Sequence, residues 1–206
     1  MGDINIIQIV INFVALVFVI TTHEAAHGFM AYIFKDPTAK NAGRMTLNPI
    51  AHIDVLGSII LPFIMMISNA PFMFGWAKPV PVDVNRLVPQ NSGRFFVSAA
   101  GIMINLLTAV IAAYALHIFN KPDTIVVGML LALIRFSVVI ACFNLIPLLP
   151  LDGGRMLHAV LPSPLKEKYA QMEQFGPIIL LALIIVPSLL SAIGVHLDPL
   201  RFVLLP

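Results

Sequence analysis

The sequence predicts an all-α polytopic membrane protein, with about four to six transmembrane helices and a re-entrant or extended segment around 53–82. Three observations carry this. Hydrophobic residues make up 59% of the chain and charged residues 11%, against roughly 45–50% and about 25% in soluble domains. The stretches 4–34, 94–119, 124–148 and 177–193 reach or approach the ~20 apolar residues that a bilayer requires. The polar connections between them are too short for a separate soluble domain, so residues 1–206 are expected to form one integral-membrane domain.

The first stretch follows the acidic start "MGDINIIQ", which has neither a basic leader nor a cleavage site and is expected to stay as a span. No Pro or Gly falls between Ile4 and His27, so it reads as one helix. At 100° per residue, Asn5, Gln8 and Asn12 lie within about 60° of His23, and His27 about 40° to the other side. Such a polar stripe is expected to face the bundle interior or a water-filled cavity.

The stretch 53–74 is apolar but interrupted by Gly57, Pro62 and Pro71. Basic residues cluster on both sides of it, at Lys35, Lys40 and Arg44 and again at Lys78, Arg86 and Arg94; a third group is Arg155, Lys166 and Lys168. Basic residues favour the cytoplasmic side. One crossing by 53–74 would put the first two groups on opposite sides; entry and return would put all three inside. The expectation is therefore a re-entrant segment, with "GWAKPVPV" extended beside a cavity. The alternative is a short, proline-kinked span.

The third and fourth elements carry isolated polar residues. Asn105 reads as interhelical packing, and Arg135 as a side chain that snorkels or pairs with a buried acid. Cys142 is the only cysteine, which excludes a disulfide or a cysteine-based zinc site within the chain; it is expected to be a small buried hydrophobe. A net charge of +2, with no basic tract interleaved with aromatics, excludes nucleic acid as a partner. At "FNLIPLLPLDGGR", Pro147 and Pro150 must break the helix, and Gly153 and Gly154 admit an unusual turn.

"HEAAH", residues 23–27, carries the chemistry. Positions i and i+4 share one helix face, so His23 and His27 can bind one zinc, with Glu24 as general base toward water. Catalytic zinc sites usually take a third protein ligand. Asp152, Asp54, His52, His117, His158, His196 and a few loop acids are the candidates. Asp152 stands out, because a carboxylate at an irregular break within a bundle can reach a metal. The ligands also meet only if both motifs lie toward the same membrane face, which independently favours the re-entrant topology.

The pairing of HExxH with Asn-x-x-Pro-x-x-Pro-Leu-Asp-Gly far downstream resembles the site-2 protease family of intramembrane zinc metalloproteases. "HEAAHGFMAY", "GRMTLNPIAHID", "GWAKPVPV" and "NLIPLLPLDGGR" resemble its compact prokaryotic branch without a PDZ domain. The resemblance implies one zinc held by His23, His27 and Asp152, with Glu24 as base. It further implies a multi-pass cell-membrane location and substrates that are transmembrane segments of other proteins; the re-entrant topology with its basic groups inside puts the zinc site toward the cytoplasm. One departure stands out: where the family often has Ala-Gly-Pro-x-x-Asn, this chain reads "AGIMIN", with Ile102 in the proline position. Asn144, Asn105 and Lys78 are further candidates for substrate or oxyanion contact, and "AKPVPV" for holding a substrate extended by strand addition. The alternative function is a membrane zinc-ion transporter using the HEAAH helix. That reading leaves the Asp-Gly-Gly break without a purpose.

Overall fold

The structure is a computed structural model that describes residues 6–61, 64, 67, 76–119 and 124–183. Its helices are α1 (Ile6–Ile33), α2 (Thr38–Asn41), α3 (Gln90–Ile118), α4 (Thr124–Leu145), α5 (Asp152–Val160) and α6 (Ser163–Gln171), and residues 176–183 are helical again. The fold is all-helical, and α1, α3 and α4 are the helices long and apolar enough to cross a membrane among the described residues. The stretch 177–193 is helical as far as 183; its remainder, with Asn5, Pro62, Pro71 and His196, lies outside the described residues.

Each helix boundary has a local cause. The helix α1 ends where Lys35 takes a left-handed conformation, φ 74°, ahead of Pro37. Pro89 precedes the first turn of α3. The helix α4 stops at Leu145, two residues before Pro147, whose ring cannot continue it.

Packing follows two matched stripes. On α1 the buried residues include Ile11, Ala15, Val19, His23, His27 and Ala31, each four after the last. On α3 the corresponding series is Gly93, Val97, Gly101, Asn105 and Ala109. The two helices run antiparallel, Gly93 meeting Phe34 and Gly101 meeting His23. Small residues on α3 let the backbones approach, as membrane helices require when lipid supplies no hydrophobic drive to association. The helix α4 packs on both, with Ala132 against Ile11 and Ala15. Outward faces are apolar: Phe13 is 66% exposed and Val110 65%, a surface suited to lipid.

Of the polar stripe of α1, Asn12 meets α4, whereas His23 and His27 lie against α3. Gln8 is exposed and donates to Asn12 at 3.1 Å, and Arg135 of α4 donates to Asn12 at 2.9 Å. Arg135 thus pairs with an amide and, among the described residues, with no acid, which leaves out one of its two expected readings; it also lies over Phe136. Cys142 is exposed, which corrects the expectation of burial. Ala141 next to it faces the bundle, and one residue turns a helix by about 100°.

Between α1 and α3 the chain leaves and returns. Asp54 caps a π-helical segment, Val55–Ile60, by accepting from Gly57 N at 2.7 Å. Trp76 N donates to Gly57 O at 3.2 Å, Ser58 Oγ to Trp76 O at 2.8 Å, and Lys78 N to His52 O at 3.0 Å. Val88 N closes the excursion onto Phe34 O at 2.9 Å. Residues 77–83 carry no helix, as expected for "AKPVPV".

Candidate metal centre

Helix α1 presents His23 and His27 on one face, one turn apart. The two rings lie directly on the backbone of α3 at Gly101. A Cβ there would come within 2.5 Å of His23 Cε1 and 2.7 Å of His27 Cε1. Glycine is what admits them, through close approach and not through an unusual turn.

Asp152 opens α5 just after the proline-broken end of α4. The glycines that follow it are helical and make no unusual turn, contrary to expectation. They are needed for space. A Cβ on Gly153 would sit 2.3 Å from Leu145 O, and one on Gly154 2.4 Å from Leu148 C. The first turn of α5 is thereby pressed against the end of α4, which carries the carboxylate to the histidines.

His23 Nε2 and His27 Nε2 are 3.0 Å apart, and Asp152 Oδ2 is 3.2 Å from the first and 3.3 Å from the second. All three residues are buried. His27 Nδ1 lies 2.7 Å from Val97 O. A carbonyl only accepts, so that nitrogen carries the proton and a neutral His27 presents a lone pair at Nε2. His23 Nδ1 lies 3.1 Å from the Asn105 amide, whose Oδ1 is otherwise buried without a partner. Turning the amide about its axis places Oδ1 on the imidazole N–H. Two lone pairs and a carboxylate oxygen then converge, a set that repels itself unless positive charge lies among them. The donor set therefore fits a single metal cation, and its nitrogen and oxygen composition suits zinc.

Glu24 is half-buried and accepts from Val80 N at 2.8 Å through Oε2. A cavity of about 660 Å³ is lined by His23, Glu24, His27, Val80, Asn144 and Asp152 among others. Asn144 donates to Ile140 O of its own helix at 3.1 Å while facing that cavity. Asn105 is fully buried behind His23 and does not line it. Lys78 does not line it either, and its side chain is exposed.

Among the described residues, the other histidine candidates and Asp54 do not join this cluster. His52 is bonded to Thr46 O at 2.9 Å, and Asp54 caps its helix. His117 lies in the last turn of α3. His158 meets the Arg94 guanidinium; burial, then Arg94 and Lys166, push its imidazole below the ordinary value and keep it neutral.

Sequence reasoning gave no site role to Val80, whose N–H meets Glu24, or to Asp36 and Arg44, which bond the backbone on either side of Val80. The one available signal was the proline on each side of Val80, which leaves a lone amide N–H in that run.

Comparison with known proteins agrees with this geometry. The model of peptidase family M50 matches residues 118–186. The chain is similar to "Putative zinc metalloprotease YwhC" of Bacillus subtilis (strain 168), 35% identical over 182 residues that cover 84% of this chain and 80% of that one. It is also similar to "Putative zinc metalloprotease Rip2" of Mycolicibacterium smegmatis and of Mycobacterium tuberculosis (strain H37Rv), each 29% identical over 168 residues. Those matches cover 81% of this chain and 63% of each Rip2, so the chain spans less than two thirds of their length. No solved structure matches. With a 35% identical relative covered over most of both lengths, and a site of the composition that its two motifs imply, this chain belongs to peptidase family M50, the site-2 protease family.

Proposed function

We propose that the chain is a single-domain intramembrane zinc endopeptidase that cuts transmembrane segments of other membrane proteins. Its one metal would be held by His23 Nε2, His27 Nε2 and the Asp152 carboxylate, with Glu24 as general base. The observation that carries this reading is the convergence of those three donors within 3.3 Å of one another, in the cavity that Glu24 also lines. When bound, zinc supplies Lewis acidity toward a peptide carbonyl and toward water. Glu24 takes a proton from the attacking water and returns it to the leaving amine nitrogen. Val97 O and Asn105 hold the imidazoles in the tautomer that leaves Nε2 free. Asn144, at the cavity wall, is the side chain best placed to meet substrate backbone. Strand addition at 77–82 has little support, since Pro79 and Pro81 lack N–H groups and the Lys78 and Val80 amides are already engaged by His52 O and Glu24.

Asn105→Ala is expected to weaken zinc binding about ten- to a hundredfold, the usual effect of losing an outer hydrogen-bond partner. Competition with a zinc chelator measures this. Affinity equal to wild type would reduce Asn105 to helix packing.

The topology belongs to the same reading. Val88 bonds to Phe34, and Trp76 to Gly57, so the excursion between α1 and α3 begins and ends at one end of the bundle. That supports a re-entrant 53–74 over a single crossing. The basic groups at 35–44, 78–94 and 155–168 all attach to that end, which supports a cytoplasmic zinc site. A membrane-impermeant thiol reagent should label cysteines placed at Lys40 and Lys166 in inverted vesicles but not in intact cells, with Cys142 first replaced. Labelling of the two from opposite sides would sink this topology.

The function itself is tested by co-expressing a panel of single-pass membrane reporters with the wild type and with Glu24→Gln. Cleavage by the wild type alone is the expected result. No cleavage, together with zinc flux that depends on His23, would favour the transporter.

A further inference from the structure

We infer that the backbone amide of Val80 is a dedicated donor that orients Glu24, and that buried Asp36 and Arg44 are positioning residues that hold it in place. This rests on the reading of Glu24 as the general base.

Val80 stands between Pro79 and Pro81, neither of which has an N–H, so the run 79–81 contains a single backbone donor. That donor points at Glu24 Oε2, 2.8 Å away. The Val80 side chain is buried and lies against α1 at Gly28, 3.3 Å from where a Cβ would be. Backbone and side chain of one residue thus both dock beside the HEAAH turn.

The segment belongs to neither helix nor sheet, so apolar contacts of Val80 and Val82 and hydrogen bonds from outside the segment are what hold it. Two buried charges grip it on either side of Val80. Upstream, Arg44, 8% exposed, donates through Nη2 to Lys78 O at 2.7 Å. Downstream, Asp36, 0% exposed, accepts from Asp83 N at 2.8 Å through Oδ2. The other Asp36 oxygen accepts from Thr38 N at 3.0 Å and from the Thr38 hydroxyl. Among the described residues neither charge forms an ion pair; apart from the Thr38 hydroxyl, backbone groups are what they hold. Buried hydrogen bonds made by a charged group are costly to give up, so these contacts hold the segment in place.

The consequence is geometric. With Oε2 engaged by Val80, the Glu24 carboxylate is locked about its end torsion, which is otherwise broad and two-fold. Oε1 is then the oxygen left for the proton of the attacking water. Without the donor, Glu24 must find its productive orientation at each turnover, and misplacement of a catalytic group by about 1 Å can cost about a hundredfold in rate.

Two measurements test this. In a fragment covering 77–83, the exchangeable amides are those of Lys78, Val80, Val82 and Asp83. Hydrogen exchange by mass spectrometry should show a single amide losing protection in Glu24→Ala; unchanged exchange overturns the inference. The second is kinetic, on the reporter that the wild type cuts fastest. Val80→Pro removes the donor, whereas Val80→Ala keeps it and matches the loss of the side chain. Val80→Pro is expected to lower kcat about ten- to a hundredfold below Val80→Ala, with KM and zinc content alike. A kcat within threefold of Val80→Ala overturns it. If Val80→Pro does not load zinc, Asp36→Asn and Arg44→Ala decide. Both should lose kcat while keeping zinc, and Arg44→Lys should restore part; full kcat in both overturns the inference. Wild-type rates in Glu24→Gln would instead remove the general-base reading, and this inference with it.

Discussion

Replacing Glu24 with glutamine is expected to lower peptide-bond hydrolysis about 10²–10⁴-fold while leaving the metal in place. At about 1.4 kcal/mol per tenfold, that is roughly 3–5.5 kcal/mol of transition-state stabilisation. The amide cannot take a proton from water, so the chemistry stops at its first step. The architecture is expected to stay. Glutamine has the same length, and its oxygen can still accept from Val80 N, which in the native chain lies 2.8 Å from Glu24 Oε2. Glu24 contributes none of the three converging donor atoms, so zinc content by elemental analysis should equal that of the wild type. A rate within tenfold of the wild type, with zinc bound, would show that another group removes the proton.

Replacing Asp152 with asparagine is expected to cost the metal itself. The substitution keeps the shape of a side chain that is 5% exposed and removes the one anionic donor of the set. Two neutral imidazoles remain. Zinc affinity should fall by more than the ten- to hundredfold that follows loss of an outer hydrogen-bond partner, and hydrolysis should fall with it. The fold is expected to survive, because α5 is held against the end of α4 by the backbone contacts at Gly153 and Gly154. Chelator competition on the purified protein in detergent measures the affinity, and thermal melting checks the fold. Affinity within threefold of the wild type would place the third ligand elsewhere. His158 is not the substitute the geometry offers, since its ring is engaged by Arg94. Glu24→Gln and Asp152→Asn are therefore expected to separate: the first inactive with zinc, the second inactive without it.

Much of this site is legible in the amino-acid sequence. His23 and His27 are four residues apart in a run without breakers, and helix geometry alone puts them on one face. The stop at the end of α4 is legible because proline cannot continue a helix. The polar stripe identifies the face of α1 that carries Gln8 and Asn12, but not the neighbour that Asn12 meets, which proves to be Arg135 of α4. Cys142 is misjudged because both faces of a lipid-embedded helix are apolar, so hydropathy does not say which one turns inward. For the glycines after Asp152 the residue type is informative and the reason is not. They relieve contact with a backbone several residues earlier, which no turn rule describes.

The sequence by itself determined the class of protein, the helical pair of histidines with its neighbouring glutamate, and the break that carries the carboxylate. The class, the shared face of His23 and His27, and the break follow from composition, from a period of 3.6 residues, and from the covalent limits of proline; the role of Glu24 as base is a proposal. Only the tertiary structure decided which carboxylate meets the histidines, and which groups stand behind each member of the site. Val97 O behind His27 and Val80 N behind Glu24 are backbone atoms, present in almost every residue and therefore without a signature in the sequence. Their positions are set by how closely α1 can approach α3 at Gly101, and by where Asp36 and Arg44 hold the extended segment.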